Sequence, residues 1–573
     1  MIRQLFYMSL VTWMTAVPSL TQSVAGQAAS SAPGAQPQTT VAQATAITSS
    51  PLGDAKSLYR KGKFDECIAK YQEILRANPK SPDAFAGEVR AYLKQKKIEV
   101  AAQTADQGVA ATNSPRVRVA RAEVWFRQGR IAEAEKEWVE VVNSGYPEPR
   151  AYLGLARQRY AIAMYKSAKK MIEKAHELDP SDPDIQEQWI GTLSRPERIK
   201  YLEESLAGDN TWDAEQRDDV ANYLQYLKER AKQKNSSTCR LVSKVKSTET
   251  PLVRLLEDPQ HMRGYGLQVS LNGHKSALML DTGASGILVR RAIAERAGIS
   301  KISETKVGGI GKKGRRDAYI GIVDSITIGE LEFQNCTIEV IEGRSVVGDE
   351  GLIGADVFED FLVELDFPNE KLKLSELPKR PGEAESTPAL KEEDEDEVPG
   401  GSDAASPPAD NHSAQSSPTP SSFNDRFHDR YISPEMHSYT AVFRFGHNLL
   451  IPTTIGKVPY KLFLLDTGAL VNFISPAAAR EVTKVHADSD VVVEGISGRV
   501  DKVYSANKAV LQFGRLRQEN QDITAFDTTS LSDNIGTEVS GFLGFVTLRM
   551  LDIKIDYRDA LVSFEFDAKR FGQ

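Results

Sequence analysis

The apolar residues of this chain follow two different patterns. From residue 53 to about residue 235 they recur with the period of amphipathic helices. From residue 261 onward they form short runs separated by tight-turn residues, which predicts strands and hairpins. The chain is therefore expected to fold as a helical first part followed by a β-rich second part.

The helical part repeats itself at a nearly constant interval. Pro82, Pro115, Pro149 and Pro183 follow one another at 33, 34 and 34 residues, and each closes one helix pair and opens the next. This pattern resembles the tetratricopeptide repeat in about four units, with further helices from Trp189 to Lys234 as the cap. The resemblance implies a concave surface for a peptide or protein partner. The alternative is an array that only stabilises or spaces its neighbours.

One short segment occurs twice in the β-rich part. Leu-Met-Leu-Asp-Thr-Gly-Ala covers residues 278–284, and Phe-Leu-Leu-Asp-Thr-Gly-Ala covers residues 463–469. In each copy an apolar strand delivers an aspartate, Asp281 or Asp466, into a Thr-Gly turn. An ionisable residue at the end of a buried strand does not serve packing, so both aspartates are candidates for chemistry.

The two copies also share their surroundings. A strand and a tight turn precede each copy, at Asn272-Gly273 and at Gly456-Lys457, and a short helix and two hairpins follow it. Two apolar residues and a glycine come later, ending at Gly354, 73 residues after Asp281, and at Gly544, 78 residues after Asp466. The β-rich part is therefore one unit that has been duplicated.

The duplicated unit resembles the aspartic peptidases, and among them the retropepsin-like group. The resemblance covers both units, roughly half of the chain, on two copies of Asp-Thr-Gly-Ala with matched flanks. It implies two acid-protease β-barrel units in which Asp281 and Asp466 form one catalytic site. The residues that it implies as supports of the active-site loops are Thr282, Gly283, Thr467, Gly468, Gly354 and Gly544.

The same resemblance implies a mobile hairpin, or flap, in each unit that closes over the substrate. The glycines at these positions are Gly308, Gly309 and Gly311 in the first unit and Gly495 and Gly498 in the second. The alternative is that these glycines only satisfy the turn geometry of a hairpin tip.

Chemistry explains why two copies are needed. Two carboxyl groups that share one proton can accept a proton from water and donate one to the carbonyl oxygen of a peptide bond. One unit supplies one such aspartate, so a working site needs two units face to face. Neither a metal nor an organic cofactor is expected, and the substrate is expected to be an extended peptide. Pairing within one chain and pairing between two molecules both remain open.

Composition narrows the range of partners. The 573 residues carry a net charge of −8, which argues against nucleic acid as a partner. The eight histidines show no paired metal-ligand spacing. The three cysteines, Cys67, Cys239 and Cys336, fall in different segments, so no disulfide framework is expected.

The first residues have the pattern of an export signal. Arg3 precedes a mostly apolar run from Leu5 to Val17, and small residues suited to cleavage follow at residues 23–28. The apolar run is shorter than the roughly 20 residues that a membrane span needs. We expect residues 1–28 to be a signal peptide and the protein to be exported, to the periplasm or outside the cell.

Composition sets the remaining boundaries. The expected segments are a low-complexity tether at 29–52, helical repeats with capping helices at 53–235, a connector at 236–260, a first unit at 261–377, a disordered Pro/Ser-rich linker at 378–430 and a second unit at 436–569. The linker contains an acidic run at 392–397. The first flap carries four basic residues, Lys312, Lys313, Arg315 and Arg316. These side chains are either solvated, or they bind the acidic run of the linker, which would then restrain the flap.

These observations predict an exported aspartic endopeptidase whose repeats recruit a partner or a substrate. The alternative is a non-catalytic scaffold or peptide-binding protein, in which the repeats act and the peptidase units are degenerate.

Overall fold

The computed structural model describes residues 5–8, 50–208, 214–232, 239–342, 350–381 and 428–571. Residues 29–49 of the predicted tether and the acidic run of the linker lie outside these ranges. Residues 50–52 differ from the predicted tether, because Ser50 caps the first helix, which begins at Pro51. Within the predicted signal peptide only the strand Leu5–Met8 is described, and its backbone pairs in parallel with Val492–Gly495.

The helical part consists of consecutive helix pairs. The four pairs are Pro51–Arg60 with Phe64–Ala77, Pro82–Lys94 with Ile98–Thr112, Pro115–Arg127 with Ile131–Asn143, and Pro149–Ala161 with Tyr165–Leu178; Pro183–Ile190, Arg195–Ala207 and Ala214–Lys232 follow. Each repeated proline stands in the first turn of a helix, where its missing N–H has no partner to lose. No helix within the described ranges combines the length and the apolar character that a membrane crossing requires.

The turn inside each helix pair has the same left-handed backbone. Gly62, Lys96, Gly129 and Ala163 have φ of 67°, 61°, 75° and 59° at corresponding positions. This turn reverses the chain so that the two helices of a pair lie side by side. The predicted repeat is therefore confirmed, including its capping helices.

The first β unit contains the predicted duplicated elements. Its elements are Arg240–Leu241, Ser247–Pro251, Val253–Asp258, His261–Leu271, His274–Asp281, Ile287–Arg290, helix Arg291–Arg296, Ser300–Val307, Arg316–Ile328, Leu331–Ile341, Gly351–Gly354, short helix Ala355–Phe358, Phe361–Asp366, short helix Phe367–Asn369 and Lys371–Glu376. The hairpin turn at Asn272 and Gly273 has φ of 47° and 84°, as a two-residue turn between twisted strands requires.

The segment 236–260 differs from the predicted connector because it contributes strands to the first unit. Ser247–Pro251 pairs with Lys371–Ser375 at the edge of a sheet, and Val253–Asp258 pairs with the following strand. Edge strands carry mostly polar side chains, so hydrophobic patterning did not distinguish them from a linker.

The second β unit repeats the first, with the helix Thr529–Ile535 in the segment before Gly541 and further short helices at both of its ends. Its elements are short helix Pro434–Met436, Thr440–Ala441, Phe443–Phe445, Asn448–Ile455, Val458–Leu465, Phe473–Ile474, helix Pro476–Arg480, Val485–Ala487, Val492–Gly495, Gly498–Arg499, Val503–Phe513, Leu516–Phe526, helix Thr529–Ile535, Gly541–Leu543, helix Phe545–Leu548, Asp552–Asp556, Leu561–Glu565 and helix Ala568–Phe571. The segment between Phe526 and Gly541 is longer than that between Ile341 and Gly351, and this accounts for the spacing of 78 rather than 73 residues.

The added helix Thr529–Ile535 and the residues after it contact the helical array. Arg127 donates to Asp533 at 2.9 Å, and the hydroxyl of Thr537 donates to the carbonyl of Phe126 at 2.7 Å. The ring of Phe126 also lies 6.1 Å from that of Phe445. The array and the second unit share one apolar cluster, so the array is an integral part of the folded body.

The two units are joined by one antiparallel sheet. Its order is Thr440–Ala441, Leu561–Glu565, Asp552–Asp556, Phe361–Asp366, Lys371–Glu376 and Ser247–Pro251. At its centre, Val363 pairs with Ile555 and Leu365 with Ile553. The strand-end carboxylates of Asp366 and Asp556 accept backbone N–H groups of the turns that follow, from Asn369 and Asp559. In this structure strands of both units therefore lie in one sheet.

The expectation that the cysteines form no disulfide is wrong. Cys239 and Cys336 are bonded, across a sequence separation of 97 residues, and Cys67 is free and buried in the array. The reason is tertiary: the strand Arg240–Leu241 pairs with Phe333 and Gln334, which brings the two distant sulfurs together. The spacing of the cysteines along the chain does not indicate this contact.

We expect the disulfide to stabilise the first unit measurably. A bond that closes so long a loop restricts the unfolded chain, so reduction should lower the free energy of unfolding by about 2–4 kcal/mol. The measurement is urea unfolding with and without dithiothreitol. The Cys239→Ser/Cys336→Ser variant should unfold at the midpoint of the reduced protein whether or not reductant is present, and an unchanged midpoint for the reduced wild type would contradict the prediction.

Candidate active site

The two predicted aspartates meet at the centre of the pair of units. Asp281 is the last residue of the strand His274–Asp281, Asp466 follows the strand Val458–Leu465, and both side chains are completely buried. A Cβ added to Gly283 would lie only 2.8 Å from the carboxyl carbon of Asp466. Gly283 is therefore needed to let the opposite carboxyl group approach.

The two threonines connect the active-site loops across the interface. The hydroxyl of Thr467 accepts the N–H of Thr282 at 3.0 Å and donates to the carbonyl of Leu280 at 2.9 Å. The hydroxyl of Thr282 accepts the N–H of Thr467 at 3.0 Å and donates to the carbonyl of Leu465 at 2.8 Å. These four hydrogen bonds hold the two loops in one symmetric arrangement.

Backbone donors orient each carboxyl group. The N–H of Gly283 donates to Asp281 Oδ1 at 2.8 Å, and the N–H groups of Gly468 and Ala469 each donate to Asp466 Oδ1 at 2.9 Å. Burial raises the pKa of Asp466 well above its ordinary value, and the charge of Asp281 and a hydrogen bond with it raise the pKa further. The pair of carboxyl groups therefore retains a proton at a pH at which an ordinary aspartate is ionised.

Gly354 and Gly544 pack closely against the two active-site loops. A Cβ at Gly354 would lie 2.4 Å from the carbonyl oxygen of Ala284, and one at Gly544 would lie 2.1 Å from that of Val471. Gly354 also donates its N–H to the carbonyl of Gly286 at 2.7 Å. Both later glycines therefore pack against the segments that follow Asp281 and Asp466.

Two polar side chains complete these supports differently in the two units, and the sequence did not single them out for this role. In the first unit the buried carboxylate of Asp356 accepts the N–H of Gly286 at 2.9 Å and the hydroxyl of Ser285 at 3.0 Å. In the second unit Asn472 accepts the N–H of Gly544 at 2.8 Å. Burial raises the pKa of Asp356 to about 6. The sequence indicates this role only weakly, because Asp356 and Asn472 stand at non-equivalent positions of the two units.

The two flaps are closed and bonded to each other. Ser497 donates its N–H to the carbonyl of Ile310 at 3.1 Å, Lys313 donates its N–H to the carbonyl of Ser497 at 2.8 Å, and Gly309 donates its N–H to the Ser497 hydroxyl at 3.2 Å. A Cβ on Gly311 or Gly495 would lie 2.3 or 2.4 Å from the backbone of the opposite flap. These glycines therefore permit contact between the flaps.

The remaining flap glycines serve the hairpins themselves. Gly498 has a φ of 89° in the turn of the second flap, so turn geometry requires it. A Cβ at Gly308 would lie 3.3 Å from Cγ of Arg315, across the first flap. Gly308 and Gly498 are therefore also consistent with the alternative that these glycines only satisfy the turn geometry of a hairpin.

Two of the four basic residues of the first flap have acidic partners in the described part of the chain. Arg315 donates to Asp219 of the capping helix Ala214–Lys232 at 2.7 and 3.3 Å, and Lys312 forms an ion pair with Asp501 beside the second flap. The acidic run of the linker lies outside the described residues. The capping helix thus supplies a carboxylate to this flap, a contact that the sequence did not indicate.

The inner side of the helical array is filled by its own side chains. The hydroxyl of Tyr59, on the first helix, donates to Asp184 on the ninth helix at 3.0 Å, and Arg150 donates to the same carboxylate at 2.6 Å. Burial alone would raise the pKa of Asp184, but Lys94 and Arg150 hold that pKa well below its ordinary value. Helices so distant in sequence meet only across the inside of a curved array, so this network occupies part of the predicted concave surface.

The described residues contain no group of three or more His, Cys, Asp or Glu side chains arranged to hold a metal ion. The site itself consists of the two central carboxyl groups, the two loops joined by threonines and the two flaps. Two interacting carboxyl groups can hold one proton between them.

Fold and site together define the class. The chain combines a tetratricopeptide repeat array with two retropepsin-like aspartyl protease units. The aspartyl protease family model matches residues 267–357 and 451–545, and the tetratricopeptide repeat model matches residues 52–115 and 87–148. The predicted combination is confirmed.

Curated proteins of fungi are similar to part of the chain. The UBA domain-containing protein Mud1 of Schizosaccharomyces pombe is 31% identical over 110 residues, which are 19% of this chain and 32% of that protein. DNA damage-inducible protein 1 is 32% identical in Chaetomium globosum, over 18% of this chain and 23% of that protein. In Neurospora crassa it is also 32% identical, over 24% of this chain and 31% of that protein. The chain spans about a third or less of these relatives.

Solved structures with similar parts include tetratricopeptide repeat proteins. One from Thermus thermophilus is 17% identical and aligns with 31% of this chain and 97% of its own, with a TM-score of 0.25. Another, from Parabacteroides merdae, is 15% identical and aligns with 33% of this chain and 77% of its own, with a TM-score of 0.23.

Proposed function

We propose that this protein is an aspartic endopeptidase that hydrolyses peptide bonds with a water activated between Asp281 and Asp466. The observation that supports this most directly is the meeting of both carboxyl groups at the threonine-linked loops, with a raised pKa for Asp466. Two interacting carboxyl groups titrate as a pair that shares one proton over a range of pH. That state is the one that peptide hydrolysis requires.

In the proposed mechanism Asp281 is the base and Asp466 is the acid. The Asp281 carboxylate removes a proton from water, and the water oxygen bonds to the carbonyl carbon. Asp466 simultaneously donates its proton to the carbonyl oxygen, which produces a neutral tetrahedral diol. Asp281 then donates its proton to the amide nitrogen as the C–N bond breaks, and Asp466 takes a proton from one hydroxyl of the diol, which becomes the new carboxyl group. The pair thereby regains its starting protonation state.

The substrate proposed for this site is an extended segment of peptide or protein. An extended chain offers backbone groups to flanking hairpins and places alternate side chains on opposite sides. Because the flaps bond to each other over buried carboxyl groups, they must separate before a peptide reaches the site. Closure then excludes bulk water from the reaction.

Hydrolysis of a peptide library by the purified full chain tests this function. We expect cleavage that persists in EDTA and that is blocked by peptides with a hydroxyl-bearing carbon in place of the scissile amide, since these mimic the tetrahedral intermediate. Cleavage that EDTA abolishes, or that these mimics leave untouched, would exclude the proposal.

We also propose that the protein is exported. The disulfide between Cys239 and Cys336 supports export because such bonds persist in oxidising compartments. Cell fractionation tests this: the proposal requires the protein outside the cytoplasm, with its N-terminus beginning near residue 29. A cytoplasmic protein with reduced cysteines would contradict it.

The second candidate function is a non-catalytic scaffold. The interlocked flaps favour it, because they leave the aspartates with no access to solvent in this form. Tetratricopeptide repeats are interaction modules, although a partner of the inner face would compete with the Tyr59–Asp184 contact. Binding of peptides without any hydrolysis would favour this candidate.

We expect the capping helix to restrain opening of the first flap. Asp219→Asn removes the ion pair with Arg315, which is partly exposed and therefore contributes roughly 0.5–1 kcal/mol. If opening limits turnover, kcat/KM should rise about twofold to fivefold, and added salt should produce a similar rise in the wild type.

The adjacent Asp218→Asn is the matched control for this prediction. Asp218 is exposed on the same helix, so the substitution changes the charge equally without touching the flap. An equal effect of both substitutions, or none from Asp219→Asn, would show that the helix does not restrain the flap.

A further inference from the structure

Each flap ends in an isoleucine that is buried in the opposite unit. Ile496 of the second flap is 1% exposed and Ile310 of the first flap is 8% exposed. Ile496 belongs to a small apolar cluster of the first unit, here called the first pocket, whose other members are Met279, Ala284, Leu288, Val307, Ala318, Ile341 and Leu352. Ile310 belongs to the apolar cluster of the second unit.

Seven members of the cluster that contains Ile310 correspond one to one with the first pocket. They are Leu464, Ala469, Phe473, Val493, Val503, Phe526 and Phe542, here called the second pocket. The strand pairing establishes the correspondence: Leu352 pairs with Met279 and Leu288 as Phe542 pairs with Leu464 and Phe473, and Ala318 pairs with Ile341 as Val503 pairs with Phe526. The two pockets are therefore equivalent places in the duplicated fold.

Both pockets lie directly beside the carboxyl groups. Each contains the alanine that follows Asp-Thr-Gly, Ala284 in the first pocket and Ala469 in the second. An extended peptide whose scissile bond lies between Asp281 and Asp466 would place its two adjacent side chains on opposite sides, one toward each pocket. In the closed form without peptide, the flap isoleucines occupy this apolar space.

The pockets differ in their walls. Leu288, Ile341 and Leu352 of the first pocket correspond to phenylalanines in the second. The rings of Phe473, Phe526 and Phe542 lie 5.2 to 6.1 Å from one another in one aromatic cluster. Three larger and stiffer side chains on the same backbone framework leave less space, whereas Met279 and the aliphatic side chains adapt to their occupant.

We propose that the two pockets give this enzyme unequal preferences on the two sides of the scissile bond. The first pocket takes long apolar side chains such as Leu, Met and Phe, and the second pocket takes short branched ones such as Val and Ile. Phe473 and Phe542 set the restriction in the second pocket. This inference rests on the proposed peptidase function, because it names the substrate of that same site.

Exchange of the pocket walls tests the inference. Phe473→Leu/Phe542→Leu gives the second pocket the leucines that the first pocket has at these two positions, and Leu288→Phe/Leu352→Phe does the reverse. For the wild type we expect at least about a tenfold preference for Val or Ile over Phe on one side only, since such size differences are worth 10-fold to 200-fold. The first variant should lose this preference, and the second should acquire it on the other side.

Phe513→Leu is the matched control. Phe513 is a fully buried phenylalanine of the same unit that packs against Phe564 instead of the pocket. This variant loses comparable packing but should keep the wild-type preference. Thermal unfolding of all variants shows how much of each protein is folded. A smaller amount of folded protein lowers every rate equally, so it does not change the order in which the peptides are preferred.

A binding measurement separates this inference from the proposed function. Calorimetry with non-hydrolysable peptides, in which a hydroxyl-bearing carbon replaces the scissile amide, ranks the same side chains without requiring turnover. If the wild type hydrolyses nothing but binds these peptides with the expected asymmetry, the function fails and the pocket assignment stands. If the wild type and the exchanged variants rank the peptides identically, the pocket assignment is wrong even when hydrolysis occurs.

Discussion

Asp281→Asn and Asp466→Asn should each lower kcat by at least about 1000-fold while leaving the protein folded. Each substitution removes one of two carboxyl groups that act together on one proton, so neither remaining group can perform both transfers. The double variant should be no less active than either single variant, because effects within one catalytic unit do not add. The measurement is hydrolysis of the best library peptide by each purified protein.

Asp466→Asn should also change the stability of the folded protein, by an amount that depends on pH. The raised pKa of Asp466 means that the folded protein binds more protons there than the unfolded chain, so this group costs stability as pH rises above the ordinary aspartate pKa of about 4. Asp466→Asn abolishes that cost. Its melting temperature should therefore exceed that of the wild type increasingly from pH 4 to pH 7.

Asp490→Asn serves as the control for both measurements, because Asp490 is exposed in the same unit and its carboxyl group lies outside the site. It should retain activity and show no such pH-dependent gain. Substantial activity in either dyad variant would mean that the aspartates are not one catalytic pair. A difference in melting temperature between Asp466→Asn and the wild type that stays constant or shrinks as pH rises would contradict the raised pKa of Asp466.

Thr467→Val should destabilise the protein by about 2–6 kcal/mol and reduce activity in the fraction that remains folded. Valine has the shape of threonine but leaves the N–H of Thr282 and the carbonyl of Leu280 without their hydrogen bonds. Each unsatisfied buried group costs about 1–3 kcal/mol. Because these bonds connect the two loops, the variant should also allow Asp281 and Asp466 to separate. Urea unfolding and kcat measure the two effects.

Thr467→Ser is the control that isolates the hydroxyl. Serine keeps both hydrogen bonds and loses one methyl group, so it should retain most of the stability and activity. The pseudosymmetric Thr282→Val should match Thr467→Val, because Thr282 makes the same two bonds in the opposite direction. A serine variant as impaired as the valine variant would assign the effect to packing instead of hydrogen bonding.

Several parts of this molecule were predictable because they depend on neighbours in sequence. The helix pairs follow from a repeated proline and an apolar period, and the hairpin at Asn272-Gly273 follows from residues that tolerate positive φ. The candidate dyad followed from the repeated Asp-Thr-Gly-Ala segment. In each case the physical cause acts within a few residues of the chain.

Other parts were missed because their cause lies far away in the chain. The strand Ser247–Pro251 is polar and exists only because an edge strand of the joining sheet offers it hydrogen bonds. The bond between Cys239 and Cys336 depends on a strand pairing across the first unit. The role of Asp356 depends on the position of the loop around Gly286. None of these contacts leaves a periodic signal.

Local patterning and the internal repeat were sufficient to establish that the chain carries two copies of one aspartate-bearing unit behind a helical repeat array, since both are properties of the chain alone. The folded structure was needed to show that strands of both units share one sheet, that the array contacts the helix Thr529–Ile535, and that Ile310 and Ile496 each belong to the apolar cluster of the opposite unit. Such long-range contacts depend on shape and on hydrogen-bonding groups that become neighbours when the chain folds.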